Sequence, residues 1–308
     1  MSIKLIVGSE DVGKRIDSFI SEKCEKISRS QAQKLIKEEK ILIDGRCAKV
    51  SSKLAINQEI TISEDTEPDN KKELIAEDLP VEILYDDEDI LVVNKPKNMV
   101  VHPAAGNSTG TLVNAVLGKY KLSNINGEFR PGIIHRLDKN TTGVLVIAKN
   151  NFAHQNIAEQ IKNRTTKKIY VALVRGLIKE ENGIIDMPIG RHQSDRKKMA
   201  VVKNGRNALT HFKVLKRYTY NGKDGYTLVE IDLKTGRTHQ IRVHMSQIGY
   251  PVVGDDVYSS GKNPFGVTSQ MLHANVLGFE HPTTKKWIEF TANLPEYFEE
   301  TINKLKEL

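Results

Sequence analysis

The sequence predicts an α+β protein, in which a small N-terminal α/β unit is followed by a larger unit with a mixed, largely antiparallel sheet. Three observations support this prediction. The chain has 308 residues, more than one domain usually contains. A short acidic segment separates two basic parts of the chain. In the second part, strand-like and helix-like segments follow one another without the strict alternation that is typical of a parallel sheet.

The first unit is predicted over residues 1–62, which carry 12 lysines and arginines against 9 aspartates and glutamates. A first helix is expected over residues 15–24. A second is indicated by the segment SRSQAQKLIKEEK, where Ala32, Leu35 and Ile36 fall on one helical face. The segment ILIDGRCAKV that follows has the form of two short strands joined by a tight Asp-Gly turn.

Residues 63–79 are predicted to be a linker. This segment contains 7 acidic and only 2 basic residues, includes Pro68, and shows no sustained hydrophobic periodicity.

The second unit is predicted over residues 80–308, where basic residues again exceed acidic ones, 32 to 23. Its first part, VEILYDDEDILVVNKP, reads as two strands around an acidic turn. Helices are expected at GTLVNAVLGKY and FAHQNIAEQIKN, and strands at IYVALVRG, GYTLVEIDL and TKKWIEFTA. The excess of basic residues in both units favours a polyanionic partner, with nucleic acid as the leading interpretation.

A charged cluster lies in HRLDKNTTGVLVIAK, residues 135–149. An isolated aspartate before a strand usually caps a turn, because its carboxylate accepts local backbone N–H bonds. Asp138, however, is close to both Arg136 and Lys139, which is more charge than a turn needs. The apolar run after it would also anchor the loop on a buried strand, as a precise site requires.

A second polar cluster lies in LKTGRTHQIRVHM, residues 233–245. As a strand this segment would alternate its side chains between two faces, and as a helix it would place His239 and Arg242 on one face; the spacing allows both. A buried Arg242 would need a carboxylate partner, for which Asp138 is the candidate. The histidine spacing does not fit a zinc site, and no metal is expected.

Four ordered segments of the chain resemble the RluA/RluD family of RNA pseudouridine synthases. They are VVNKPKNMVVHP, HRLDKNTTGVLVIAK, KKIYVALVRG and GRTHQIRVHMSQIGYPVVGDDVY. The N-terminal unit resembles an S4 RNA-binding domain, as in the RluD-type subgroup. The departures are mild: Asn140 stands where the family often has Asp, and Thr142 where it often has Ser.

The resemblance implies a role for each matching residue. Asp138 would be the catalytic carboxylate and Arg242 its ion-pair partner. Tyr170, which by itself reads as an ordinary packing residue, would contact the target base and is a candidate for the proton step at C5. Arg136 would occupy the space of the displaced nucleotide. The basic residues of the S4 unit that are expected to contact RNA are Arg29, Lys34, Lys37 and Arg46.

The reaction that the resemblance implies breaks the N1–C1′ bond of a uridine in RNA and rejoins the sugar to C5, with no cofactor. Family members with an S4 unit modify large-subunit (23S) ribosomal RNA, so this substrate is expected here. Two alternatives come from other functional classes. The chain could be an assembly factor that only binds RNA, or a nucleoside or glycoside hydrolase, which would release a free base or sugar instead of an isomer.

Several classes of protein are disfavoured by composition. No run of 18 apolar residues suggests a membrane span, and the first residues do not resemble a secretory signal. Cys24 and Cys47 are far apart and in no metal-type spacing, which favours a reduced, cytoplasmic protein without disulfides. A monomer is the default expectation.

Overall fold

The computed structural model describes residues 2–24, 27, 29–63, 74–104, 107–127, 129–195, 198–259 and 263–308. The chain divides into two compact units, Met1–Glu73 and Leu74–Leu308. Residues 64–73 of the predicted acidic linker lie outside the described residues.

The first unit contains a four-stranded antiparallel sheet with the order β1-β4-β2-β3. Its elements are β1 (Ser2–Ile6), α1 (Ile16–Lys23), α2 (Arg29–Lys37), β2 (Ile41–Ile43), β3 (Arg46–Cys47) and β4 (Glu59–Ser63), with a short 3-10 turn at Ser9–Asp11. The predicted Asp-Gly turn is present, and both of its residues have positive φ, as a tight hairpin turn requires. The second strand of that hairpin ends at Cys47, earlier than the sequence suggested.

The second unit is built on a ten-stranded sheet. Its strands are β5 (Glu82–Asp86), β6 (Ile90–Lys95), β7 (Thr142–Ala148), β8 (Lys167–Arg175), β9 (Asn182–Asp186), β12 (Leu209–Tyr220), β13 (Asp224–Leu233), β14 (Leu272–Glu280), β15 (Trp287–Thr291) and β16 (Lys306–Glu307). A separate two-stranded ribbon pairs β10 (Ile189–Arg191) with β11 (Met199–Val201). The helices are α3 (Leu112–Leu117), α4 (Asn151–Asn163), α5 (Gln240–Gln247) and α6 (Glu296–Asn303). The predicted α+β class is confirmed.

The central path of the large sheet runs β16-β12-β13-β8-β14-β7-β6-β5. Every pair along it is antiparallel except β7 with β14, so the prediction of a largely antiparallel sheet is confirmed. The parallel pair depends on Gly143, whose φ is +113°. A side chain at this position would collide with the backbone of Ala274 on β14. All seven residues of β7 are buried, which gives the loop before it a rigid support.

The segment 233–245, for which the sequence allowed either a strand or a helix, ends β13 and begins α5. His239 lies at the start of this helix with φ +57°, and Arg242 lies within its first turn. None of the helices in the described ranges combines the length and the apolar character needed to cross a membrane. Within the same ranges, no group of three or more His, Cys, Asp or Glu side chains is arranged to hold a metal ion.

Candidate active site

The loop that carries Asp138 is held at both ends by hydrogen bonds. Before it, His135 accepts a bond at Nε2 from the Val146 amide of β7, at 3.2 Å. Burial lowers the pKa of His135 to about 3, so the ring is neutral. After it, the Thr141 amide donates to the carbonyl of Asp138, and the Gln270 side chain donates to Thr141 Oγ1, each at 3.1 Å. These contacts fix the backbone on both sides of the carboxylate.

Lys95, at the end of β6, also holds this loop in place through a hydrogen bond to its backbone. Its side chain is fully buried, and its Nζ donates to the carbonyl oxygens of Pro96, Met99 and Lys139, at 2.8, 2.9 and 3.1 Å. Burial lowers the pKa of Lys95 to about 7, while the negative charge of Asp138 acts in the opposite direction. Because Lys139 directly follows Asp138, this bond joins the first motif of the second unit to the loop that holds the carboxylate.

Arg242 is a buried guanidinium shared between two carboxylates. Its Nε and Nη2 donate to Oδ2 and Oδ1 of Asp255, at 2.7 and 2.8 Å, and its Nη1 donates to Oδ2 of Asp138, at 3.1 Å. The ring of Tyr258 packs over the guanidinium at 5.2 Å. Burial disfavours the charged form, but the bonds and charges of the two aspartates outweigh it and raise the pKa of Arg242. The arginine is therefore a fixed cation.

The charges in this cluster do not cancel. Asp255 is completely buried and pairs with Arg242 through two parallel bonds, the geometry in which a guanidinium and a carboxylate match best. Asp138 accepts one N–H from Nη1 and is partly exposed. A third carboxylate, that of the exposed Asp256, lies 3.9 Å from Nη2. The two hydrogen-bonded aspartates and the one guanidinium leave one net negative charge, and Asp138 is the member that opens to the cavity.

His239 is the second cationic or polar side chain close to the carboxylate of Asp138. Its Nδ1 lies 2.8 Å from the hydroxyl of Tyr258, which already accepts a bond from the Met199 amide. The hydrogen bond between Nδ1 and this hydroxyl holds the imidazole so that its Nε2 lies 3.9 Å from Oδ2 of Asp138. Burial lowers the pKa of His239, although the charge of Asp138 opposes this effect.

A cavity of about 270 Å³ lies beside Asp138, and its lining includes Arg136, Tyr170 and Arg242. Burial and the nearby Asp138 charge raise the pKa of Tyr170, so its hydroxyl stays protonated. Lys168, two residues earlier on β8 and on the same face, also lines the cavity. Burial lowers its pKa to about 8. In the described part of the chain, the side chain of Lys168 forms no hydrogen bond or ion pair, so its charge is available to a ligand.

The structure thus brings together four of the site residues predicted from the sequence, namely Asp138, Arg136, Tyr170 and Arg242. The other four lie in the first unit. Lys34, Lys37 and Arg46 are exposed there. Arg29 is about half exposed, and its Nε donates to the buried Asp17 at 3.1 Å.

Lys95, Lys168 and Asp255 are among the residues of the site that were not singled out from the sequence. A signal existed for Lys168, because it directly precedes the predicted strand IYVALVRG and shares the parity of Tyr170. Asp255 lies 13 residues after Arg242 in a loop, and no local periodicity connects the two. Lys95 bonds only to backbone carbonyls, which a sequence does not reveal.

Comparison with known proteins gives two matches to family models. Residues 89–247 match the model described as RNA pseudouridylate synthase, and residues 14–60 match the S4 domain. The first match covers more than half of the chain and contains Asp138, Tyr170 and Arg242. The chain belongs to the RNA pseudouridylate synthase family.

Relatives of this synthase cover almost its whole length. It is 44% identical to an uncharacterized RNA pseudouridine synthase of Bacillus subtilis, over 99% of this chain and 98% of the relative. It is 40% identical to the ribosomal large subunit pseudouridine synthase D of Pseudomonas aeruginosa, over 93% of this chain and 90% of the relative. The solved structure of human RNA pseudouridylate synthase domain containing 1 matches with a TM-score of 0.59 and 28% identity, over 74% of this chain and 89% of that one.

These matches confirm the predicted family and the enzyme class. The protein is an RNA pseudouridine synthase with an S4 domain in its N-terminal part, and RNA is its partner.

Proposed function

We propose that this synthase isomerises uridines in large-subunit ribosomal RNA and that Asp138 is its catalytic carboxylate. The proposal for the substrate is supported by the Pseudomonas aeruginosa relative, whose name specifies the ribosomal large subunit, and by the S4 domain. The proposal for Asp138 is supported by its position at the cavity.

The observation that carries this proposal is that Arg242 donates hydrogen bonds to two aspartates, Asp138 and Asp255. Breaking the N1–C1′ bond builds positive charge on the sugar, as in glycoside hydrolysis. A carboxylate that is fixed but not neutralised stabilises such charge best, because it needs no reorganisation when the charge develops. Asp255 takes two of the Arg242 donors, so Asp138 keeps its position while the pair of aspartates retains one net negative charge.

An ionised Asp138 can serve this reaction in three ways. It can stabilise the cationic sugar, attack C1′ to form a covalent intermediate, or remove the C2′ proton. In each case the uracil stays in the cavity and returns as the nucleophile through C5, so no second carboxylate is needed to activate water. Deuterium at C2′ separates the third path from the first two, because only breaking of that C–H bond gives a primary isotope effect on the rate.

Tyr170 and Arg136 are assigned to the substrate nucleotide. Burial and Asp138 raise the pKa of Tyr170, so its hydroxyl is protonated before the substrate enters; we assign Tyr170 to packing against the base and keep it as the candidate for the proton step at C5. Arg136 lines the cavity and is exposed, and we assign it to the space that a flipped nucleotide leaves in the RNA. Flipping costs a few kcal/mol, which such an insertion offsets.

The S4 domain is assigned to general affinity for RNA. We place it in residues 1–62 and the catalytic domain in residues 80–308, with 63–79 as the linker. Its proposed phosphate contacts are Arg29, Lys34, Lys37 and Arg46. Removing residues 1–62 should weaken binding to long RNA and reduce its salt dependence, while short RNA substrates are still converted.

The test is carbodiimide mapping of pseudouridine in an unmodified 23S transcript, after incubation with wild-type protein or with Asp138→Ala. We expect new reverse-transcription stops with the wild type and none with the variant. A tRNA transcript and a pre-ribosomal particle serve as the comparison substrates.

Each alternative gives its own result. Stops in the tRNA alone would replace the ribosomal substrate. Stops that persist at wild-type level with Asp138→Ala would overturn the role of the carboxylate. Tight binding without any product, on all three RNAs, would favour the assembly-factor interpretation, and release of free uracil would favour a hydrolase.

A further inference from the structure

Arg237 lies at the rim of the catalytic cavity and has a fixed position there. It precedes α5 by three residues, lines the cavity together with Gly236 and Ile161, and is half-buried. Its Nε donates to the carbonyl of Asn207 at 3.0 Å. That bond orients the guanidinium, and its other N–H groups form no hydrogen bond to the described residues, so they are available to a ligand in the cavity.

Two further arginines are close to Arg237. Arg206 is the neighbour of Asn207, and Arg164 ends α4, the helix that also carries Ile161. Both are exposed. The pKa of Arg237 is lowered, first by burial and then by repulsion from Arg206 and Arg164. Arg206 and Arg164 therefore each lie near enough to Arg237 to repel its charge. The bond to Asn207 brings the chain next to Arg206 close to Arg237, and Arg164 lies one helical turn beyond Ile161, which lines the same cavity.

No carboxylate balances this group in the described part of the chain, where none of the three arginines has an ion pair. This differs from Arg15, Arg29, Arg217 and Arg242, each of which pairs with an acid. Like charges placed together oppose the folded state, and the cost disappears when an anion binds between them. A planar guanidinium matches a phosphate with two parallel bonds, which makes the phosphodiester the anion best suited to three such groups.

We propose that Arg164, Arg206 and Arg237 form a phosphate-binding site that holds the RNA backbone beside the target nucleotide. The inference rests on the proposed function in one respect, that the target uridine enters the cavity of Asp138. The site belongs to the catalytic unit itself and acts separately from the S4 domain. It would fix the strand on one side of the flipped nucleotide, so that the sugar meets the carboxylate in a defined orientation.

The experiment compares two triple variants with equal loss of charge. The first carries Arg164→Gln, Arg206→Gln and Arg237→Gln. The control carries Lys179→Gln, Lys223→Gln and Lys304→Gln, which are exposed lysines of the same unit that do not line the cavity. Filter binding to the 23S transcript is measured from low to high salt, and single-turnover conversion is followed at saturating protein. Thermal melting checks that each variant is folded.

We expect the arginine variant to bind roughly a hundredfold more weakly and to lose about two units of the slope of log K against log salt, from two to three phosphate contacts. The lysine control should keep the wild-type slope within about half a unit. Equal slopes for the two variants would overturn the site. Because Arg237→Gln also loses the bond to Asn207, the double variant Arg164→Gln with Arg206→Gln must show at least half of the effect.

The outcomes separate this inference from the proposed function. If the wild type makes no pseudouridine in the transcript, the ribosomal substrate is wrong, yet the binding slopes on the same RNA still decide the phosphate site. If the wild type is active and the arginine variant binds like the control, the proposed function stands and the phosphate site is refuted.

Discussion

Each unit of this protein contains a cluster of aspartate and arginine, and the two clusters are built in opposite ways. In the S4 unit the Asp17 side chain is 0% exposed, and its partners Arg15 and Arg29 are 44% and 54% exposed. In the catalytic unit the arginine is buried, with Arg242 only 5% exposed, and Asp138 is 20% exposed. One cluster presents cations to solvent and the other presents an anion.

The difference shows what each cluster can bind. A buried carboxylate that orients exposed guanidiniums suits a polyanion, because the free N–H groups of the arginines remain available to phosphates. A buried guanidinium that orients a carboxylate suits a substrate that becomes positive as it reacts. Under the proposed function, the same type of ion pair would serve general RNA binding in one unit and chemistry on a single nucleotide in the other.

The largest effect that would test this contrast is the loss of Asp138. Asp138→Asn keeps the shape of the side chain and removes its charge, so we expect the single-turnover rate to fall by at least about a thousandfold, as for other groups that act on the reacting atoms. The melting temperature should stay close to that of the wild type, because the side chain is partly exposed. A variant that melts early, with activity lost only in proportion to unfolding, would reduce Asp138 to a structural role.

The corresponding substitution in the S4 unit, Asp17→Ala, should lower stability and leave catalysis unchanged. Asp17→Ala removes an acceptor used by Arg15, Arg29, Gln33 and the Ser18 amide. The arginines are exposed and can be rehydrated, so we expect a loss of about 2–3 kcal/mol in the unfolding free energy of that unit. Conversion of a short RNA by the catalytic unit should be unchanged. Chemical denaturation measures the unfolding free energy, and an activity assay on the short RNA measures conversion.

Acid should destabilise the S4 unit by the same mechanism. Burial acts to raise the Asp17 pKa, but the bonds from Arg15, Gln33 and Arg29 outweigh it and hold the pKa far below its usual value. A carboxyl whose pKa is lowered by folding adds stability above its unfolded pKa of about 4, and this stability is lost as the pH falls below that value. Asp17→Ala should therefore show a flatter dependence of stability on pH below about 4 than the wild type.

Asp255 should contribute to the reaction rate indirectly, by holding Arg242 in place. Asp255→Asn puts an amide donor beside the guanidinium, so we expect about a hundredfold loss in kcat with KM changed little, because the substrate still enters the same cavity. Stability should fall by about 2–4 kcal/mol, since a buried cation loses most of its compensation. Adding Arg242→Gln should recover part of that stability and none of the activity. A loss confined to KM would show that Asp255 shapes binding and does not hold Arg242 in place.

The extent to which these clusters could be predicted from sequence follows from their geometry. Asp138 and Arg242 were predicted because each lies in a distinctive local segment, and the pair between them followed from the need of a buried arginine for an acid. The helix that carries Arg242 was not decided, because THQIRVHM fits both periodicities. Asp255 and Lys95 escaped prediction because their partners are brought close only by folding, through a loop and through backbone carbonyls respectively.

Lys168 differs from the cations of both clusters. It lines the cavity beside Asp138, and in the described residues no acid pairs with its side chain. Burial lowers its pKa to about 8, so its charge disappears as the pH rises through that value. We expect the KM for RNA to increase roughly tenfold above about pH 8, the loss of one charge-assisted hydrogen bond. Lys168→Met should show the high KM at every pH, and Lys168→Arg should keep the low KM to higher pH.

Unfolding cannot produce this profile, because the same titration acts on stability with the opposite sign. Between about pH 8 and 10 the unfolded chain binds a proton at Lys168 that the folded chain does not, so the contribution of Lys168 to stability rises with pH. If RNA binding weakens while stability rises with pH, and if Lys168→Met shows neither change, the increase in KM comes from Lys168 in the cavity. A KM that increases equally in the wild type and in Lys168→Met would assign the titration to another group and remove Lys168 from the binding site.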